Sequence, residues 1–148
     1  MTSLDTLWRC AYRSQQAAPI TRADLAALLR ESQMRNVTQG LTGLLLHADH
    51  KFLHLLEGPE GAVRRVSQSI ALDARHVAME VLFMEPASRR LLAMHPMAFI
   101  DWSSPMTMED PLQRLLKTVL EEPAPLLPGA STEAQMRFWE QCANSLQG

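Results

Sequence analysis

Residues 40 to 58, GLTGLLLHADHKFLHLLEG, constrain the fold of this chain more than any other stretch. Two apolar runs are broken by a short polar segment containing Asp49, which reads as a β-hairpin with strands over 40–46 and 51–58. Side chains alternate faces along a strand, so Phe52, His54 and Leu56 share one face while Leu53, Leu55 and Glu57 share the other. A titratable ring therefore points where its apolar neighbours point. On the strand pattern alone, His54 can be a core histidine held by one backbone or hydroxyl partner, or a member of a polar site.

Flanking patterns supply the partners of this hairpin. LDTLWRCAY at 4–12 alternates loosely, with Trp8, Cys10 and Tyr12 on one face, and predicts a first strand. Thr21 with Asp24 forms a capping pair for a helix whose stripe of Leu25, Leu28 and Leu29 continues to two polar residues, Ser32 and Asn36. After Pro59, Val63, Val66 and Ile70 are spaced for a second helix over about 60–72, whose end carries Asp73, Arg75 and His76. Residues 77–83 form a β-branched and apolar run suited to a fourth strand, and MAFIDW at 97–102 predicts a last one. The order βαββαββ predicts an α+β, ferredoxin-like sandwich: one mixed sheet with two helices on one face. Leu112, Leu115, Leu116 and Val119 repeat at helical spacing, EEPAPLLPGAST interrupts, and a Ser-Thr cap opens another helix. These tail helices are expected to cover the second face, giving a domain over 1–103 and a helical extension over 104–148.

Length and charge narrow the function classes. A chain of 148 residues is about one domain long, and a formal charge of −2 gives no electrostatic footprint for nucleic acid or an anionic membrane. Cys10 and Cys142 are far apart and match no metal-ligand spacing, so reduced thiols are expected. The start MTSLDTLWRC has no signal-peptide lysines and no apolar run reaches membrane length, which points to the cytoplasm. No GxGxxG, GxxxxGK[ST], HExxH or GxSxG is present. His47, His50 and His54 invite a metal reading, but the first two flank a turn and need not face the side of His54, so no metal site is expected.

What remains is a convergence of polar groups. In the sandwich, Tyr12 at the end of strand one, Ser32 and Asn36 on helix one and His54 on strand three point between helices and sheet. A phenol, an amide and an imidazole together can bond the edge of a planar heteroaromatic ligand, with Arg35, Arg75 and His76 placed to hold phosphates.

These residues resemble the BLUF domains, blue-light sensors that bind FAD. CAYRS at 10–14 resembles the family's first strand, with its photoactive tyrosine at Tyr12. ESQMRN at 31–36 followed by GLTGLLL is similar to its first helix and TG strand, which puts the flavin-binding asparagine at Asn36. FLHLLEG resembles the family's F-x-Q-x-L-E-G, DARH at 73–76 its D-x-R-H, and EPASRR at 85–90 the segment before its last strand. The convergence and the resemblance together give the expected cofactor contacts as Tyr12, Ser14, Ser32, Arg35, Asn36, His54, Arg75, His76, His95 and Met97. The resemblance also implies a non-enzymatic FAD-binding light sensor, homo-oligomeric and signalling through contacts with a downstream protein.

Two departures stand out: the family's switching glutamine is His54 here, and His95 takes the place of its tryptophan. An amide carries donor and acceptor on one carbon and can exchange them, whereas a neutral imidazole carries one of each on opposite sides of a rigid ring. Three outcomes are open: flavin binding with an altered light response, flavin binding without the usual red-shifted state, or a flavin-free interaction module. An enzyme using His54 as a general base is a further reading, for which the sequence names no substrate.

Overall fold

The computed structural model describes residues 6–102, 109–123 and 129–147. The expected strand start at residue 4, the boundary at 103/104 and part of the proline-rich segment lie outside them. The elements are β1 (Leu7–Gln16), α1 (Arg22–Gln39), β2 (Thr42–Ala48), β3 (Lys51–Pro59), α2 (Glu60–Ala71), β4 (His76–Pro86), β5 (Ala98–Trp102), α3 (Pro111–Glu121) and α4 (Glu133–Gln147). They build one five-stranded sheet in the order β4-β1-β3-β2-β5, with β5 parallel to β2 and the other pairs antiparallel. The α+β class and the βαββαββ order expected from the sequence are those observed.

Local chemistry sets the joints. Thr21 Oγ1 accepts from the Asp24 amide while the Asp24 carboxylate accepts from the Thr21 amide, a reciprocal cap that starts α1. Gly40, at φ 72°, closes the helix in the left-handed conformation that glycine adopts without strain. Asp49 and His50, at φ 52° and 61°, form the two-residue turn between β2 and β3, whose paired left-handed residues match the twist of a hairpin. At Gly43 a Cβ would lie 2.3 Å from the Leu55 carbonyl oxygen, so only glycine permits this approach of β2 to β3.

Two strands run longer than their side chains suggest. β1 continues to Gln16 and β4 begins at His76, because Gln15 pairs with Val77 and Gln16 with His76. Backbone pairing in the interior of the sheet is indifferent to the polarity of RSQQ, and it places His76 on a strand rather than at a helix end.

Each face of the sheet has its own core. Cys10, Leu45, Phe52 and Leu56 meet Leu25 of α1 and Val63 and Val66 of α2. On the opposite face Leu44, Leu53, Leu55 and Phe83 meet Leu116 and Val119 of α3 and Phe138 and Trp139 of α4. Full burial of each large apolar side chain is worth roughly 1.5–3 kcal/mol, which makes the tail helices part of the fold's stability. Within that second core the fully buried carboxylate of Glu57 accepts from Arg9 Nε at 3.1 Å and from the Leu91 and Leu92 amides at 2.8 and 3.0 Å. Arg9 Nη2 also donates to the Arg89 carbonyl at 2.8 Å, so one ion pair pins the segment leading to β5.

Candidate functional site

Between α1, the end of α2 and the sheet lies a cleft of about 440 Å³, measured with its open mouth. β1 contributes Tyr12 and Ser14, α1 Leu28, Ser32 and Arg35, β2 Leu45, and β3 Phe52 and His54. Ile70, Asp73, Arg75 and His76 close the far side. Tyr12 and His54 are direct cross-strand partners, so their side chains rise side by side on the helix face. The Tyr12 hydroxyl is hydrogen-bonded to His54 Nδ1, and the rings meet edge to face at 4.9 Å.

The charge state of this pair follows from its burial. Each side chain is almost entirely removed from solvent. Burial, with lesser contributions from Arg35 and His76, pushes the His54 imidazolium down to about 3, so the ring is neutral near physiological pH. Burial likewise raises the Tyr12 phenol well above its ordinary value. Two buried polar atoms of the cleft residues, His54 Nε2 and Ser14 Oγ, have no hydrogen-bond partner among the described residues. Buried polar groups are nearly always satisfied, so such atoms at a cleft wall mark a place where a ligand's polar edge belongs.

The cations of the cleft differ in their freedom. Arg75 is bound to Asp73 at 2.5 Å and to Glu31 at 2.9 Å, which raises its guanidinium still further and holds the Asp73 carboxyl low. Arg35 donates through Nε and Nη2 to Asn36 Oδ1 and has no carboxylate partner among the described residues. His76 donates from Nε2 to the Ile70 carbonyl at 2.5 Å, its ring 6.3 Å from that of Tyr12.

Of the ten residues proposed from sequence, Tyr12, Ser14, Ser32, Arg35, His54, Arg75 and His76 line the cleft together. The other three lie off its lining. Asn36 is fully buried, and its amide donates to the Pro96 carbonyl at 2.7 Å, tying α1 to the segment before β5. Met97 packs in the core under the helices, its carbonyl accepting from Gln33 Nε2. His95 is half-buried, and its carbonyl accepts from the Gly43 amide. Leu28, Phe52 and Ile70 read from the sequence as core positions and Leu45 as part of an apolar strand, yet all four wall the cleft, Leu28 and Phe52 sharing a stripe and a face with Ser32 and His54. Among the described residues no group of three or more His, Cys, Asp or Glu is arranged to hold a metal ion, and no helix is long and apolar enough to cross a membrane.

The sheet, its helical cover on both faces and this half-polar cleft define an α+β domain with a candidate ligand site between helices and sheet. The family model of BLUF, described as sensors of blue-light using FAD, matches residues 7–98, and the chain belongs to that family of blue-light sensors. Its relatives include the photoactivated adenylate cyclase subunit beta of Euglena gracilis, 38% identical over 86 residues, which are 58% of this chain and 10% of that protein. Subunit alpha from the same organism is 35% identical over 107 residues, 72% of this chain and 10% of that protein. The chain thus spans about a tenth of the length of these light-activated relatives. Among solved structures, the BLUF protein BlrB in its dark state superposes with a TM-score of 0.78 at 26% identity, over 96% of this chain and 98% of that one. A Klebsiella pneumoniae BlrP1 manganese/cy-diGMP complex gives 0.62 at 27% identity, over 77% of this chain and 32% of that one.

Proposed function

We propose that the cleft binds FAD and that the chain reports blue light through protein contacts, without catalysing a reaction of its own. The observation that carries this reading is the pair of unsatisfied atoms, His54 Nε2 and Ser14 Oγ, in a cleft whose apolar walls, Leu28, Leu45, Phe52 and Ile70, suit the faces of a flat ring system. A bound flavin would supply the absorption of blue light and a ring able to take up an electron. The chain's own groups do the rest. Tyr12 is kept neutral and is placed to give up an electron with its hydroxyl proton, for which His54 Nδ1 is the adjacent acceptor. Arg35, without a carboxylate partner among the described residues, is available to a phosphate or to an electron-rich ring edge, whereas the charge of Arg75 is already neutralised by Asp73 and Glu31. The rigid imidazole cannot exchange donor and acceptor as an amide can, so illumination leaves the flavin bands without the family's red shift.

A signal would leave through the far face of the sheet. Arg13 follows Tyr12 in β1, points to the opposite side, donates to the Val119 carbonyl of α3 at 2.9 Å and is paired with Glu80. We assign 1–103 to flavin binding and 104–148 to an extension that meets a downstream protein or a second copy of this chain in the cytoplasm.

A second reading, a flavin-free interaction module, draws on the occupied amide of Asn36, the neutralised Arg75 and the position of His95 off the cleft. Purification decides between them. Protein that carries yellow flavin in about equimolar amount, or takes up added FAD, supports the sensor; colourless protein that takes up none supports the module.

A further inference from the structure

Tyr12 and His54 together limit what His54 can present to the cleft. Among the described residues the Tyr12 hydroxyl has His54 Nδ1 as its one hydrogen-bond partner, and His54 Nε2 has none. A neutral imidazole carries its proton on one nitrogen or the other. With the proton on Nδ1, the phenol oxygen would accept it, and both the phenol proton and the Nε2 lone pair would be buried without partners. With the proton on Nε2, the phenol donates to Nδ1 and a single N–H is left, on a side chain that lines the cleft. The second arrangement leaves one unmet buried group instead of two, each worth about 1–3 kcal/mol. Register holds the ring in place: Tyr12 and His54 are cross-strand partners in the interior of a five-stranded sheet. The Arg35 guanidinium lines the same cleft and acts electrostatically on both side chains.

We infer that Tyr12 fixes His54 as the Nε2-protonated tautomer, so that position 54 is a permanent hydrogen-bond donor which, with the Arg35 cation, selects a ligand edge carrying an acceptor and binds it more tightly as that edge gains electrons. The inference deepens the flavin reading and its second half rests on it: a carbonyl-bearing heteroaromatic ring held against this pair is favoured in its reduced form. His54 is then a specificity-determining residue that biases the redox state of the bound ring. A donor and a cation stabilise whichever state of a ligand is the more negative, since the charge is met in a site that excludes water.

Two measurements test this separately. Long-range nitrogen–proton correlation spectra of the purified protein with 15N-labelled histidine report the tautomer, whether or not flavin is bound. A protonated Nε2 with a bare Nδ1 at His54 is expected, and the reverse pattern overturns the inference. The potential of the flavin, with FAD as the probe, is then read by dithionite titration against a reference dye in wild type, His54→Leu and Arg35→Met. Dithionite supplies both electrons and solvent the accompanying protons. Each variant should lose about tenfold in its preference for reduced over oxidised FAD, a fall of about 30 mV for a two-electron couple. Unchanged potentials in both variants overturn the bias. Two variants at separate positions keep the test open should one not fold. Failure of wild type to bind FAD at all overturns the flavin reading and the redox bias with it, and the tautomer spectrum still decides the role of Tyr12.

Discussion

Acidification should destabilise this protein through one buried ring, and the size of the effect can be worked from His54. Its imidazolium is pushed down to about 3 in the folded chain, against an ordinary value of 6.5. Between those values the unfolded chain binds a proton that the folded chain refuses, so stability falls as the pH drops below about 6.5 and is unaffected by this group at higher pH. At about pH 5 the difference amounts to roughly 1.5 pH units, or about 2 kcal/mol, a sizeable part of the roughly 5–15 kcal/mol that holds an ordinary domain together. Urea unfolding of wild type and His54→Gln at about pH 7.5 and about pH 5 isolates the term, because the amide does not titrate and every other group contributes to both proteins. Wild type should lose about 2 kcal/mol more than His54→Gln between the two conditions. Equal losses in the two proteins would refute the burial argument, and with it the neutral state of the Tyr12–His54 pair.

Three further substitutions probe the Glu57 ion pair, the β2–β3 contact and the Tyr12 hydroxyl. Glu57→Ala leaves Arg9 buried without its carboxylate and strands the Leu91 and Leu92 amides, and should lower stability in denaturant by about 3–5 kcal/mol. Gly43→Ala drives a methyl group into the Leu55 carbonyl and should destabilise by about 1–3 kcal/mol, seen as a lowered thermal midpoint. Tyr12→Phe removes the hydrogen-bond partner that His54 Nδ1 has among the described residues, and should cost about 1–3 kcal/mol in urea unfolding while any bound flavin is retained.

Much of this architecture is legible before any coordinates. The strand alternation puts Tyr12 and His54 on the helix-facing side, the apolar stripe of α1 carries Ser32 to the same place, and the Thr21–Asp24 cap fixes where that helix begins. What periodicity does not reveal is which polar groups satisfy one another across distance. Arg75 reads as a free phosphate holder until Glu31, 44 residues away, is seen beside it. Asn36 reads as a ligand contact until the backbone of Pro96 takes its amide. Glu57 reads as the polar end of a strand, yet it binds two amides of a segment more than thirty residues on. The long ends of β1 and β4 escape a hydropathy reading because each is justified by the backbone of the other.

We propose that this chain keeps the flavin cleft of its family while His54 replaces its switch. Absorption spectra of the purified, FAD-loaded protein before and during blue illumination, taken on wild type and His54→Gln side by side, test it most directly. Flavin bands that do not shift in wild type, and a red shift that appears in the glutamine variant, are the expected result. A full red shift already present in wild type would contradict it, for the rigid imidazole would then be doing the work assigned to an amide.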